Sequence, residues 1–251
     1  MIVNFTSNLN SYQNTFTSRK KEIREADKMV LLINRAYPRI SCSNIQDFSN
    51  IDKYPKVYDR AAKLITEMRC MLDAKTLFAK EPISKLKAFK DVVLKYKAGN
   101  CDESAKLAYI AAKVNGLKDI QLASIETLHD GPPGQVWLES QDHMVLRVEN
   151  GNKPYVIDPW LGFADYVPQA IQKYKNEFGY HFDFNSNPDD IVLVHSRDTN
   201  FDLLLRKVSQ EDMRKTFPEL IIPKPQKQGV GSKIKKLFKN LSIFINNVLQ
   251  R

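Results

Sequence analysis

The segment Gly99-Asn100-Cys101-Asp102-Glu103-Ser104-Ala105 is where the chain concentrates groups able to do chemistry. Asn100 is a favoured N-cap, and carboxylates suit the first turn of a helix, so Cys101 is expected at the first helical position. A thiol there lies in the field of unpaired backbone N–H groups, which favours the thiolate. The same N–H groups can hold an oxyanion formed when the sulfur attacks a carbonyl. Asp102 and Glu103 work against the thiolate, and a paired imidazolium has to offset them. Asp142-His143-Met144-Val145-Leu146-Arg147-Val148 offers one, with Tyr155-Val156-Ile157-Asp158-Pro159-Trp160 following. Asn150-Gly151, between them, is a strong hairpin signal. A hairpin centred there makes His143 and Asp158 cross-strand neighbours or nearly so. A carboxylate beside an imidazole fixes its tautomer and stabilises its charged form.

Other reactive types lack such company. A cysteine at a helix start is by itself more often a small structural residue, and that reading is kept for Cys42, in a polar stretch, and Cys70, within a helical one. His129 lies in His129–Gly134 (HDGPPG), expected as a turn or exposed loop; His181 is flanked by aromatics; His195 ends an apolar strand. No His, Cys, Asp and Glu spacing suggests a metal site, and no glycine-rich phosphate loop is present, so the reading implies neither metal nor cofactor.

Taken together, G-N-C-x-E-x-A, then D-H-M-V-L-x-V, then V-I-D-P-W-x-G resembles the papain-like/transglutaminase-like cysteine enzymes, and within them members found among effectors and toxins of bacterial pathogens. The resemblance covers Lys97–Gly162. It implies Cys101 as nucleophile, His143 as general base and acid, Asp158 as the orienting group and Trp160 as a wall of the site. Papain proper has a glutamine shortly before its cysteine. Here the nearest upstream glutamine is Gln46, which leaves backbone N–H groups near Cys101, with Asn100, as the oxyanion donors. The implied activity is amide hydrolysis or acyl transfer through a thioester on a host protein. Glutamine deamidation or transglutamination stands slightly ahead of peptide-bond cleavage. The competing expectation is a catalytically silent interaction module on the same fold. The resemblance also implies a secreted effector working in the reducing host cytoplasm.

The elements that must position these residues follow from pattern. Arg19–Ala36, Val57–Lys80 and Ser84–Lys97 carry apolar residues at helical spacing, so the first hundred residues are expected to be helical. An alanine-rich helix follows Cys101. Strands are expected at Ile120–Thr127, His143–Glu149, Pro154–Ile157 and Ile191–His195, with helices at Val167–Phe178 and Ser209–Phe217. The expected class is α+β: a helical N-terminal part packed on a small antiparallel sheet.

The 251 residues, 43% hydrophobic and 27% charged, suit a globular chain, and no apolar run reaches the length of roughly 18 residues that spans a bilayer. Met1–Asn14 is polar, without the basic start and apolar stretch of a secretory signal. Three cysteines with no C-x-x-C pair fit a reducing compartment. Of the net charge of +9, seven belong to the acid-free stretch after residue 222, leaving +2 for residues 1–222. A nucleic-acid partner is therefore not expected of the body. The division expected is a flexible lead over 1–15, a catalytic domain over 16–221, a linker over 222–232 and a basic amphipathic helix over 233–251. Residues 233–250 are expected to reach an anionic membrane surface, or else to pack on the body.

Overall fold

The computed structural model describes residues 20–39, 55–130, 136–151, 153–176, 191–195 and 199–223. The lead, the basic terminal helix, nearly all of the linker, Cys42 and His181 lie outside the described residues. Helix α1 (Lys21–Ala36) buries Ile23, Ala26, Met29, Val30 and Ile33 along one stripe. Helices α2 (Pro55–Phe78) and α3 (Pro82–Tyr96) pack against each other. Helix α4 (Cys101–Val114) is buried nearly all round, through Ala105, Leu107, Ala108, Ile110, Ala111 and Ala112. A helix with only a narrow polar stripe, here Asp102, Lys106 and Lys113, belongs at the centre of a core, and α4 touches α1 and three strands.

Those strands belong to one antiparallel sheet. In chain order they are β1 (Ile120–Asp130), β2 (Val136–Val148), β3 (Tyr155–Asp158), β4 (Phe163–Tyr166) and β5 (Ile191–His195), ordered β4-β3-β2-β1-β5 across the sheet. The class is α+β, with helices and a small five-stranded antiparallel sheet. Side chains alternate between faces with period two. Leu122, Leu146, Val148, Tyr155, Ile157 and Ala164 join the main core with α1 and α4. Ala123, Ile125, Val145, Val156 and Phe163 form a second core with Ala170 and Tyr174 of helix α5 (Val167–Asn176). Asn150-Gly151 turns β2 into β3, and Gly151 takes the left-handed conformation (φ 53°) that glycine adopts without steric cost. Helices α6 (Thr199–Arg206) and α7 (Gln210–Thr216) close the described chain with a 3₁₀ turn at Pro218–Leu220.

Three expectations change. β1 runs through His129 to Asp130, so His129 is part of a strand paired with Trp137, not of a loop. β2 begins at Val136, well before His143, because its pairing with β1 runs over Val136–Ser140, skips Gln141 and Asp142 and resumes at His143, in a stretch where no apolar alternation marks a strand. β4 and α6 are additional elements, too short for pattern to announce them.

Candidate active site

Cys101 opens α4 behind Asn100, whose extended backbone (φ −103°, ψ −159°) is that of an N-cap. Glu103 reaches back, its Oε2 accepting from the Asn100 N–H at 2.8 Å. That bond takes the Asn100 backbone donor, so the backbone donors left for an oxyanion at this end start with Cys101 itself. Glu103 is only 2% exposed. Its charge is met by Arg69 of α2, which donates from Nε at 2.8 Å and from a terminal nitrogen at 3.3 Å. Burial pushes the Glu103 carboxyl up, but the Arg69 bonds and the Asn100 N–H hold it below its ordinary value. Asp102 pairs with Lys106 one turn on, Nζ to Oδ2 at 2.9 Å. Burial nevertheless raises the Asp102 carboxyl. Both carboxylates expected to oppose a thiolate thus carry cationic partners that offset their field.

Gly99 makes this turn possible by its size. A Cβ there would stand 3.1 Å from the Glu103 Cβ and 3.2 Å from the Arg39 Cδ. The Glu103 Cβ is fixed to the helix and cannot withdraw. Gly99→Ala should therefore cost about 1–3 kcal/mol, read as a lower urea midpoint at unchanged slope; an unchanged midpoint would show that the turn has slack.

His143 follows a break in the β1–β2 register, where Ile125 opposes His143 but Glu126 opposes Ser140. Bulges of this kind re-aim side chains next to functional sites. The β2–β3 ladder pairs Leu146 with Ile157. Continued by one step, it sets Asp158 opposite Val145, so His143 and Asp158 are diagonal neighbours on one face. The His143 Nε2 lies 2.8 Å from the Asp158 Oδ2, with each side chain 1% exposed. Asp158 is held on every side. Its Oδ1 accepts from the backbone N–H groups of Trp160 at 3.1 Å and Leu161 at 3.0 Å, and its Oδ2 also accepts from the Tyr174 hydroxyl at 3.1 Å. The Trp160 ring sits 4.8 Å from the His143 ring, centroid to centroid, and Tyr174 meets it edge-on at 5.7 Å. Trp160 thus packs directly against the His143 ring.

The third sequence-derived residue joins this pair, since the Cys101 sulfur is close enough to the His143 ring to favour its charged form. With Nε2 committed to Asp158, proton exchange with the sulfur falls to Nδ1. Burial disfavours the charged ring, but the Asp158 carboxylate, its hydrogen bond and the Cys101 sulfur outweigh it and raise the His143 pKa to about 9. Cys101 is partly exposed, whereas His143, Asp158 and Trp160 behind it are buried. Tyr174 and Arg69 belong to this constellation but carry no local motif. Tyr174 lies within a helical pattern on α5, and Arg69 is one of many exposed-looking bases on α2.

The remaining candidates lie apart. Cys70 is exposed on α2. His195 ends β5, its Nδ1 3.2 Å from the Leu122 carbonyl oxygen. It lines a shallow surface pocket with Asp119, Gln121, Glu149, Asp202 and Arg206. Among the described residues, no group of three or more His, Cys, Asp or Glu is arranged to hold a metal, and no helix is long and apolar enough to cross a membrane. No protein-family model matches the chain, and no curated protein matches it.

Proposed function

We propose that the chain is a cofactor-independent cysteine enzyme acting on amides through a thioester. The observation that carries the reading is one buried imidazole bonded to a carboxylate, with a partly exposed thiol at a helix N-terminus close enough to favour its charged form. In this reading the Cys101 sulfur attacks the amide carbon while its proton rests on His143. The developing oxyanion faces the backbone N–H groups at the start of α4. The tetrahedral adduct collapses as the imidazolium gives its proton to the departing amine, leaving a thioester on Cys101. Neutral His143 then takes a proton from water, the hydroxide oxygen adds to the thioester carbon, and the acid departs as the thiol is restored.

The leaving group decides the outcome. Loss of ammonia from a glutamine side chain is deamidation, interception of the thioester by an amine is transglutamination, and loss of a peptide amine is proteolysis. The motif's likeness to effector enzymes supports the side-chain reactions first, a papain-like/transglutaminase-like core, a host protein as substrate and a secreted effector working in the host cytoplasm. The test compares the full chain with Cys101→Ala in host-cell lysate by intact-mass and peptide analysis. An amide-to-acid mass change confined to the active chain is expected. Cleavage fragments would replace deamidation by proteolysis, and identical lysates would overturn the enzyme reading.

A further inference from the structure

Two groups donate to one oxygen at the centre of this site. The Asp158 Oδ2 accepts from the His143 Nε2 at 2.8 Å and from the Tyr174 hydroxyl at 3.1 Å. We propose that Tyr174 is a positioning residue that tempers the Asp158 carboxylate, so that His143 can surrender its proton as well as hold it. The inference rests on reading Cys101, His143 and Asp158 as the reacting set.

The need for such a residue comes from the chemistry. Thioester formation uses His143 as an acid, and thioester hydrolysis uses it as a base, so its proton affinity has to sit near the working pH. An undiluted buried carboxylate would lock the ring as imidazolium and stall the second half of the cycle. A hydroxyl donating to the same oxygen draws off part of the negative charge that His143 feels. Tyr174 is suited to this because it is wholly buried and keeps its proton. Burial, then the Asp158 charge, raise its pKa well above the ordinary phenol value. It therefore remains a donor at any working pH. The carboxylate does not need Tyr174 for orientation, because the Trp160 and Leu161 N–H groups already fix the Oδ1. The groups that face His143 are Asp158 from β3, Trp160 just after it, Tyr174 from α5 and Cys101 from α4. Of these, Tyr174 is the neutral donor.

This assignment has a signature that a packing role lacks. Tyr174→Phe keeps the ring, with its contacts to Phe163 at 5.4 Å and His143 at 5.7 Å, and removes only the hydroxyl. The His143 imidazole titration, followed by NMR in the full chain, should then move up by about one pH unit, the size expected for losing one hydrogen bond to a charged group. The alkaline limb of Cys101 alkylation should move with it. Asp158→Asn should move both the other way. A residue that merely packs would leave the midpoint in place or lower it, and either result overturns the proposal. If Tyr174→Phe fails to fold, 3-fluorotyrosine at position 174 keeps the size and strengthens the donor, and the midpoint should fall; an unchanged midpoint again overturns it. The underlying enzyme reading fails separately, if His143→Ala leaves Cys101 alkylation unchanged, whatever the imidazole titration shows.

Discussion

Asp158→Asn should reduce turnover by about 10²–10⁴-fold, while Asp158→Ala should also cost about 3–5 kcal/mol of folding stability. The two variants separate the two things Asp158 does. Asparagine keeps the shape and an oxygen for the Trp160 and Leu161 N–H groups, but it presents an amide NH₂ to His143 and cannot stabilise an imidazolium. Alanine removes every acceptor, leaving an imidazole, a phenol and two backbone donors buried without it. The stability loss should depend on pH with a definite sign. The folded-state pKa of His143 is raised, from an ordinary value near 6.5 to about 9. The pair's contribution is therefore fully present below about pH 6.5 and lost as pH rises through about 9. The gap between wild type and Asp158→Ala in urea melts should be widest at pH 6 and narrow towards pH 9. A gap that widened with pH would show that the carboxylate serves the backbone donors alone and does not hold a charged ring.

How much of this was legible beforehand depends on the range of the interactions. The start of α4 was readable because capping is local: Asn100, Cys101 and Glu103 meet within one turn. The nearness of His143 and Asp158 was readable because the Asn150-Gly151 turn signal lies close to the centre of the hairpin, although six residues, not two, connect Val148 to its partner Tyr155. The diagonal offset was not, since it depends on where β3 begins to pair. Nor was the register break beside Ile125, which sits among polar residues that give no alternation to interrupt. Arg69 and Tyr174 were out of reach for a different reason. Each meets its carboxylate only through the docking of a helix whose periodicity announces a buried face but not which side chain will touch which partner. The helical lead-in and the small sheet could thus be drawn from pattern, whereas the electrostatic environment of the thiol could not. The sequence shows Asp102 and Glu103 next to Cys101, and only packing reveals the cations that offset them.

That environment leads to the second large effect, in which thiol reactivity runs opposite to exposure. Cys70 is exposed and Cys101 only partly so, so accessibility alone ranks Cys70 as the faster to alkylate. The site reverses this ranking, because the Cys101 sulfur stands beside the His143 imidazolium and at the N-terminus of α4, both of which favour its attack. Iodoacetamide at pH 7, read by peptide mass, should therefore label Cys101 well before Cys70. His143→Ala should cut the Cys101 rate by about 10²-fold or more and restore the order that exposure dictates. The pH dependence has a fixed sign as well. The raised His143 pKa keeps the imidazolium present through neutral pH and releases it as the pH passes about 9. The advantage of Cys101 over Cys70 should accordingly be greatest near neutrality and shrink above pH 9, where the imidazolium is gone. Arg69 gives a graded control. It is held charged first by its bond to Glu103, and the nearby Asp102 and Cys101 charges add to this. Arg69→Ala would leave Glu103 buried without its cation beside the sulfur, so the Cys101 rate should drop, with Arg69→Lys in between. Labelling of Cys70 ahead of Cys101 in the wild type would mean that the buried imidazole and its carboxylate are a structural pair, and that the chain binds its partners without reacting with them.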